Sequence, residues 1–553
     1  MNIPSAVSAP DLCTCSMRSA DTPRCITEAI RASSTSARCD VYARSRTLRS
    51  SIATERSNRR PRFSTSCCSS EATVTPYVLR RSVLDDRCNE RRLFPTNVES
   101  IPATTRLGSR QSSRRKTEMF VPRSASMIDP LASNAPDAHR TPTWISLDKD
   151  AAVDIGNVRV VVGANSAVLE NVNVSIRRGR ISAVGRDPSA DVPEGIEVID
   201  GAGSTVIPGL IDAHVHLTGD NDNHPVTRYN NREMRLLRAV ADLSLPMKAG
   251  FTSLRDCGLG SLATELRAAQ KEGLILAPRI ATTFRALSET GGPTDWRPLP
   301  LETAASDETR GVQADGPWDF VRAVRRNFRE GATFTKVFVT RSNLAMPGMW
   351  PPREILSEEE LRAVVRETHA FGAICAAHCT GDEGVSRALD AGVDTVEHGV
   401  VSPHSGVLER MAAQGTILVP TLTVFRAAAE AATAPPATAD IAKELVDAQF
   451  AMVARARELG VRIALGSDTG SGVPFSGMRE LALLVEAGLS PVEALEAATS
   501  VAAGACGWGD QIGTVEVGKV ADLVLVDGEP DVDISVLVDP TRIRAVLQSA
   551  EVF

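Results

Sequence analysis

From Trp144 onward the chain moves between two hydrophobic periods. Val158–Val162 is an apolar run. Val172, Val174 and Ile176 then alternate with polar neighbours until Arg178-Gly179-Arg180 turns the chain, and Ile181, Val184 and Val198-Ile199-Asp200 follow. A period of two places one face of a strand against a core. This region therefore predicts a run of short antiparallel strands joined by turns.

The next stretch is Val206-Ile207-Pro208-Gly209-Leu210-Ile211-Asp212-Ala213-His214-Val215-His216-Leu217. It reads as one buried strand ending in two histidines. Positions i and i+2 of a strand point the same way, so His214 and His216 project side by side. A bare His-x-His is more often a pair of loop histidines. The apolar run and the Pro-Gly turn ahead of this one shift the reading toward a metal pair, because neutral imidazole is a common zinc ligand.

Beyond Leu217 the pattern becomes strand–helix alternation. Phe251–Asp256, Arg279–Thr283, Phe334–Val339, Ala373–His378, Val393–His398, Thr416–Pro420 and Val461–Ser467 read as strands. Helical stretches around Leu262–Lys271, Phe320–Arg329, Leu361–Thr368, Gly384–Asp390 and Ile441–Leu459 separate most of them. Ser357-Glu358-Glu359-Glu360 and Ser490-Pro491-Val492-Glu493 are capping boxes that mark helix starts. Seven or eight such units predict an α/β fold, a (β/α)8 TIM barrel over residues 207–509. Ile512–Lys519, Ala521–Val526 and Ile543–Leu547 return to short strands. The two ends of the ordered chain, 141–206 and 510–553, are thus expected to form one small β-domain, a β-sandwich.

Catalytic groups of such barrels sit at the C-terminal ends of strands. His214, His216, His378, His398 and Asp468 all fall at predicted strand ends, and Lys336 lies within a strand. Each alone has a plain structural reading; all six together at the ends of one barrel do not. The other four histidines, His139, His224, His369 and His404, fall in loops or on a helix and are expected to be solvated or packed. An ammonium among cations is repelled, so Lys336 makes sense as a carbamate formed with CO2.

These residues resemble the amidohydrolase superfamily, in particular its imidazolonepropionase-like and Xaa-Pro dipeptidase-like branch. The matching segments are Pro208–His216, Lys336, Ala377-His378, Val396-Glu397-His398-Gly399, Gly466-Ser467-Asp468 and the tail Gly513-x-x-x-x-Gly518-Lys519-x-Ala521-Asp522. The resemblance covers about residues 157–553. It implies two divalent metal ions, zinc being expected. His214, His216 and Asp468 would hold the more buried one, His378 and His398 the more exposed one, and carboxylated Lys336 would bridge. It implies hydrolysis of a C–N bond (amide, peptide, carbamate or cyclic amide) by a hydroxide shared between the metals, with Asp468 carrying the proton. A homo-oligomer acting on a small molecule is also implied.

Two loops depart from the branch. Relatives often carry Gly-Gly-His-Gly-Asp where this chain has Thr290-Gly291-Gly292-Pro293-Thr294-Asp295. The segment from Thr340-Arg341-Ser342-Asn343 to Trp350-Pro351-Pro352 also differs. Both should shape the pocket, which leaves the substrate open. Arg341 and Arg285 are candidates to bind a substrate carboxylate, although a surface ion pair is the plainer reading of each. A phosphotriester or lactone hydrolase on the same centre, and a metal-free scaffold, remain as alternatives; the complete ligand set argues against the scaffold.

Composition divides the chain. Residues 1–126 hold 22 Lys and Arg, of which one is Lys, against 11 Asp and Glu, and seven of the eleven cysteines. No apolar period runs through residues 1–140, so they cannot bury enough surface to offset ordering. A start codon placed too early, with Met119 or Met127 as the true start, is the favoured reading. A disordered extension is a second, and a transit peptide a third, against which Asp11, Asp21, Glu28 and Asp40 argue. The net charge of −7 is mild and does not suggest nucleic acid or an acidic membrane as partner. There is no apolar run of membrane length and no secretory h-region. The four cysteines beyond residue 140 are too scattered for a disulfide framework, which fits a cytoplasmic protein.

Overall fold

The computed structural model describes residues 142–550 apart from 149, 166, 187–195, 221–231, 296–310, 342–354, 432–435 and 472–473. The expectations for residues 1–140, for His139 and His224 and for most of the loop after Arg341 lie outside the described residues. Both ends of the described chain enter one eight-stranded sheet. Its order is Thr143–Leu147, Ile543–Ser549, Leu523–Val526, Thr205–Pro208, Ala152–Val161, Val168–Arg177 and Arg180–Gly185, with Glu197–Asp200 also paired to Ala152–Val161. The sheet is mixed rather than antiparallel: Thr143–Leu147 runs parallel to Ile543–Ser549, and Ala152–Val161 runs parallel to Thr205–Pro208. Val153, Ile155, Val174, Ile176, Leu523 and Leu547 pack into a single apolar cluster beneath it.

The expected strand 206–217 is two strands. Thr205–Pro208 closes the mixed sheet, and Leu210–Asp220 begins a parallel one. Gly209 is the joint. Its N–H donates to Asp522 O at 2.7 Å, and a Cβ there would collide with the Thr252 side chain, so only glycine passes. His214 and His216 consequently lie in the middle of their strand rather than at its end.

Two parallel sheets follow. One orders Thr469–Ser471, Leu210–Asp220, Phe251–Asp256 and Arg279–Thr282; the other orders Gly311–Gln313, Ala286–Ser288, Thr335–Phe338, Cys375–Thr380, Thr395–Gly399 and Ile417–Val419. Backbone bonds run between them at both edges. Thr333 N donates to Thr282 O at 2.7 Å, Ala464 N to Leu418 O at 2.8 Å and Ala213 N to Leu465 O at 2.9 Å. Strand residues such as Ile211, Ala213, Ala281, Ala376 and Val419 share a buried cluster with Phe334 and Trp508. The larger apolar core lies between the strands and the surrounding helices.

Both capping boxes are formed. Ser357 Oγ accepts from Glu360 N, and Glu360 Oε2 accepts from Ser357 N at 2.9 Å; Ser490 and Glu493 repeat the pattern. The helices Arg232–Asp242, Val407–Gln414, Leu422–Glu430 and Gly477–Glu486 add to those expected. Two expected strands are absent. In Val461–Ser467 only Ile463 bridges to Leu418, because Leu465 N bonds to Ala497 O and Ser467 N to the Asp212 carboxylate. In Ile512–Lys519, Gly513 and Gly518 adopt φ of 94° and 92° and turn the chain. No helix among the described residues is long and apolar enough to cross a membrane.

Candidate metal centre

The six residues singled out by their chemistry meet in one buried cluster. His214 and His216 project from the same face of Leu210–Asp220, with ring centroids 5.4 Å apart. Asp468 Oδ1 lies 3.1 Å from His216 Nε2 and 3.7 Å from His214 Nε2. Lys336, from Thr335–Phe338, brings its Nζ to 3.3 Å from His214 Nε2. The His398 ring is 5.2 Å from that of His214 and 4.5 Å from that of His378. All six are buried. Gly466 lets this happen: a Cβ there would stand 2.7 Å from the His214 Cβ, so the segment carrying Asp468 can press against the histidine strand.

Three of the four imidazoles are oriented from behind. His214 Nδ1 donates to Glu397 Oε2 at 2.6 Å, and Glu397 Oε1 accepts from Arg255 Nη2 at 2.7 Å. Arg255 is itself fully buried and also donates to the carbonyls of Ala213 and Ala505. His216 Nδ1 is 2.8 Å from Gly258 O, a group that only accepts. His398 Nδ1 is 2.7 Å from Thr421 Oγ1, whose own proton goes to Pro420 O at 2.7 Å. Three partners thus assign the Nδ1–H tautomer and leave three Nε2 lone pairs to face the cluster.

Burial holds His214, His378 and His398 well below the ordinary imidazole range, and the basic group facing each one adds to it: Lys336 beside His214, His398 beside His378, His214 beside His398. Burial alone would raise Asp468. The facing basic groups His214, His216 and Lys336, with the hydrogen bond of His216, outweigh it and hold the carboxyl well below the usual carboxylate range. Asp212 is pushed up to about 7 by burial although it accepts from Ser467 Oγ at 2.6 Å, Ser467 N at 3.0 Å and His214 N at 3.2 Å. It ties the His214 strand to the Asp468 segment.

Backbone strain marks the same place. Beyond residue 205, the described non-glycine residues with positive φ are Leu259, Phe284, His398, Val400, Thr421 and Asp468, and each sits at or just past the C-terminal end of a parallel strand or of the segment leading to Asp468. Such conformations cost on the order of 1–3 kcal/mol each and persist where the surroundings impose them.

The donor set fits a divalent metal. His214, His216 and Asp468 offer ligand atoms all within 4.8 Å of one another. His378 Nε2 is buried without a hydrogen-bond partner among the described residues, a costly state for a polar ring nitrogen that a bound cation would relieve. Imidazole nitrogen with carboxylate oxygen is a zinc-type ligand set.

The two arginines stand apart from these described bonds. Arg285 is half-buried with its guanidinium 5.1 Å from the Phe284 ring centroid, and Arg341 is half-buried just past Thr335–Phe338. His369 pairs with Asp394 at the surface, as a solvated histidine would. Sequence reasoning gave no role to Arg255, Glu397 or Thr421. An arginine inside the wholly buried strand Phe251–Asp256 was the available signal, since it demands a carboxylate partner.

The amidohydrolase family profile matches residues 205–552. Ochratoxinase from Aspergillus niger is 29% identical over 442 residues, covering 75% of this chain and 89% of that protein. Among solved structures, a Xaa-Pro dipeptidase with methionine in its active site is 28% identical with a TM-score of 0.63, covering 72% of this chain and 98% of that one. A prolidase complexed with N-methylphosphonate-L-proline is 30% identical with a TM-score of 0.64 over the same shares. The fold they share with this chain is a TIM-barrel-like α/β arrangement. The chain belongs to the amidohydrolase family and is a hydrolase of carbon–nitrogen bonds.

Proposed function

We propose that the protein hydrolyses an amide or peptide bond with two divalent metal ions, zinc in the resting enzyme. His214, His216 and Asp468 hold one, His378 and His398 the other, and Lys336, carboxylated by CO2, bridges them. The observation that carries this reading is His214 Nε2, which faces Lys336 Nζ at 3.3 Å and Asp468 Oδ1 at 3.7 Å within a buried cluster. A carbamate turns Lys336 from a repelled cation into an anion with two oxygens.

Cations bound there would supply a water that ionises near neutral pH and would polarise the scissile carbonyl. Asp468 takes the proton of the attacking water and delivers it to the leaving nitrogen. Glu397, Gly258 and Thr421 keep the three Nδ1–H tautomers fixed throughout. Arg285 and Arg341 are proposed to meet a substrate carboxylate from the rim.

The bonds between the edges of the two parallel sheets support closure into one (β/α)8 barrel over 207–509. The mixed sheet, with its own apolar cluster, is proposed as the small sandwich-like domain of 141–206 and 510–553. Four buried free cysteines among the described residues suit a reducing cytoplasm. A homo-oligomer is proposed from the resemblance.

The test is elemental analysis of purified protein with a substrate panel. Two zinc ions per chain and turnover of N-acyl amino acids or Xaa-Pro dipeptides support the reading. Turnover of phosphotriesters or lactones alone would favour the alternative chemistry, and a metal-free, inactive protein would favour a scaffold.

A further inference from the structure

We propose that Glu480 is a positioning residue for the His378–His398 half of the metal centre, acting through the N-terminus of the helix Leu422–Glu430 and through Thr421. The inference rests on the binuclear reading above.

Glu480 lies in the helix Gly477–Glu486 and is fully buried. Its carboxyl group covers the start of a different helix. Oε1 accepts from Leu422 N at 2.8 Å; Oε2 accepts from Thr423 N at 2.7 Å and from Thr423 Oγ1 at 2.6 Å. The first N–H groups of a helix have no partner inside it and carry partial positive charge, so something must satisfy them. The usual agent is the side chain of the N-cap residue, and Thr is suited to the task.

Here the N-cap residue is Thr421, and its side chain makes no cap bond. It adopts φ 54° and ψ 47°, which turns the hydroxyl away from the helix. That hydroxyl donates to Pro420 O and accepts from His398 Nδ1. Gln449 Nε2 also donates to Pro420 O at 2.7 Å and steadies the carbonyl. Glu480 therefore does the capping from outside and releases Thr421 to fix the His398 tautomer.

No described hydrogen bond joins the device to those behind the other ligands. His214 is held by Glu397 on Arg255, and His216 by Gly258 O. Loosening Glu480 should thus reach one half of the centre. Partners behind metal ligands are worth about 10–100-fold in metal affinity.

The experiment titrates chelator-stripped full-length protein with zinc against a coloured competing chelator. It compares wild type with Glu480→Gln, Thr421→Val and Thr421→Ser. Gln keeps the shape of Glu, but its amide nitrogen cannot accept, so at least one helix donor loses its partner; Val keeps the shape of Thr without the hydroxyl. Expected are two affinities in wild type. One of them falls about 10–100-fold in Thr421→Val and about tenfold in Glu480→Gln, the other stays within about threefold, and Thr421→Ser restores both. The proposal is overturned if Glu480→Gln keeps both affinities or loses both together, if Thr421→Ser behaves as Thr421→Val, or if Glu480→Gln cannot be purified folded, which would make Glu480 a folding residue. Wild-type protein that takes up fewer than two zinc ions sinks the binuclear reading and this inference with it. Unchanged variants sink the inference alone.

Discussion

Arg255 Nη2 donates to Glu397 Oε1 at 2.7 Å with neither side chain exposed to solvent. The pair joins Phe251–Asp256 to Thr395–Gly399 and, through Glu397 Oε2, sets the ring of His214. Removing one partner of a buried pair strands the other charge, at a cost of about 3–5 kcal/mol. Glu397→Gln should therefore lose stability of that order in urea unfolding of the apoprotein, and also zinc affinity. Arg255→Met combined with Glu397→Gln should recover part of the stability but not the affinity. A single variant as stable as wild type would mean that the pair does not hold the strands.

Lys336→Ala removes the proposed bridging anion and leaves two cations facing one another. Zinc content and rate should fall together, with affinity down by about 10–100-fold. A short carboxylic acid added to the assay should restore part of both by filling the vacated bridge. Full zinc content in Lys336→Ala would leave the lysine without a bridging role.

Burial pushes Glu480 up to about 8, against the hydrogen bonds of Thr423 and Leu422. Its unfolded value is near the ordinary 4.5. Between those values the folded state binds a proton that the unfolded state does not. This group's contribution is present at acid pH and is lost as pH rises toward 8, with a slope of at most about 1.4 kcal/mol per pH unit. Glu480→Gln cannot titrate. Thermal melts from pH 5.5 to 8.5 should show wild type losing stability relative to the variant as pH rises; parallel curves would contradict the assignment.

Deleting residues 1–126 should leave the rate within about twofold and the melting temperature nearly unchanged, because that segment lacks the apolar period of a core. Activity assays and melts of the truncated chain check this. An insoluble or inactive truncation would make the segment part of the fold.

Much of this was legible in the sequence. Metal ligands need rare side chains in or just beyond apolar strands, so His214, His216, His378, His398 and Asp468 stand out against apolar runs, and Lys336 stands out inside one. The break at Pro208-Gly209 was hidden, because the apolar run continues across it while the chain changes sheet. Val461–Ser467 has the composition of a strand, yet its backbone groups go to Ala497 and Asp212, far away in the chain. Val515 and Val517 imitate strand alternation, although Val517 is 66% exposed on a turn. Arg255, Thr421 and Glu480 each look like isolated polar residues. Their meaning lies in partners brought by folding, such as Glu397, 142 positions from Arg255, and no local pattern carries that.

The central claim is that Asp468 moves the proton while the histidines, with Lys336, hold the metals. Asp468→Asn keeps the size and one ligating oxygen and loses the proton acceptor. The decisive measurement is kcat on the best amide substrate beside zinc content in the same preparation. The account predicts zinc largely retained and kcat reduced by about 10²–10⁴-fold, the range of general acid–base catalysis. Near wild-type kcat with both metals bound would contradict it, leaving Asp468 a ligand only and the proton in other hands.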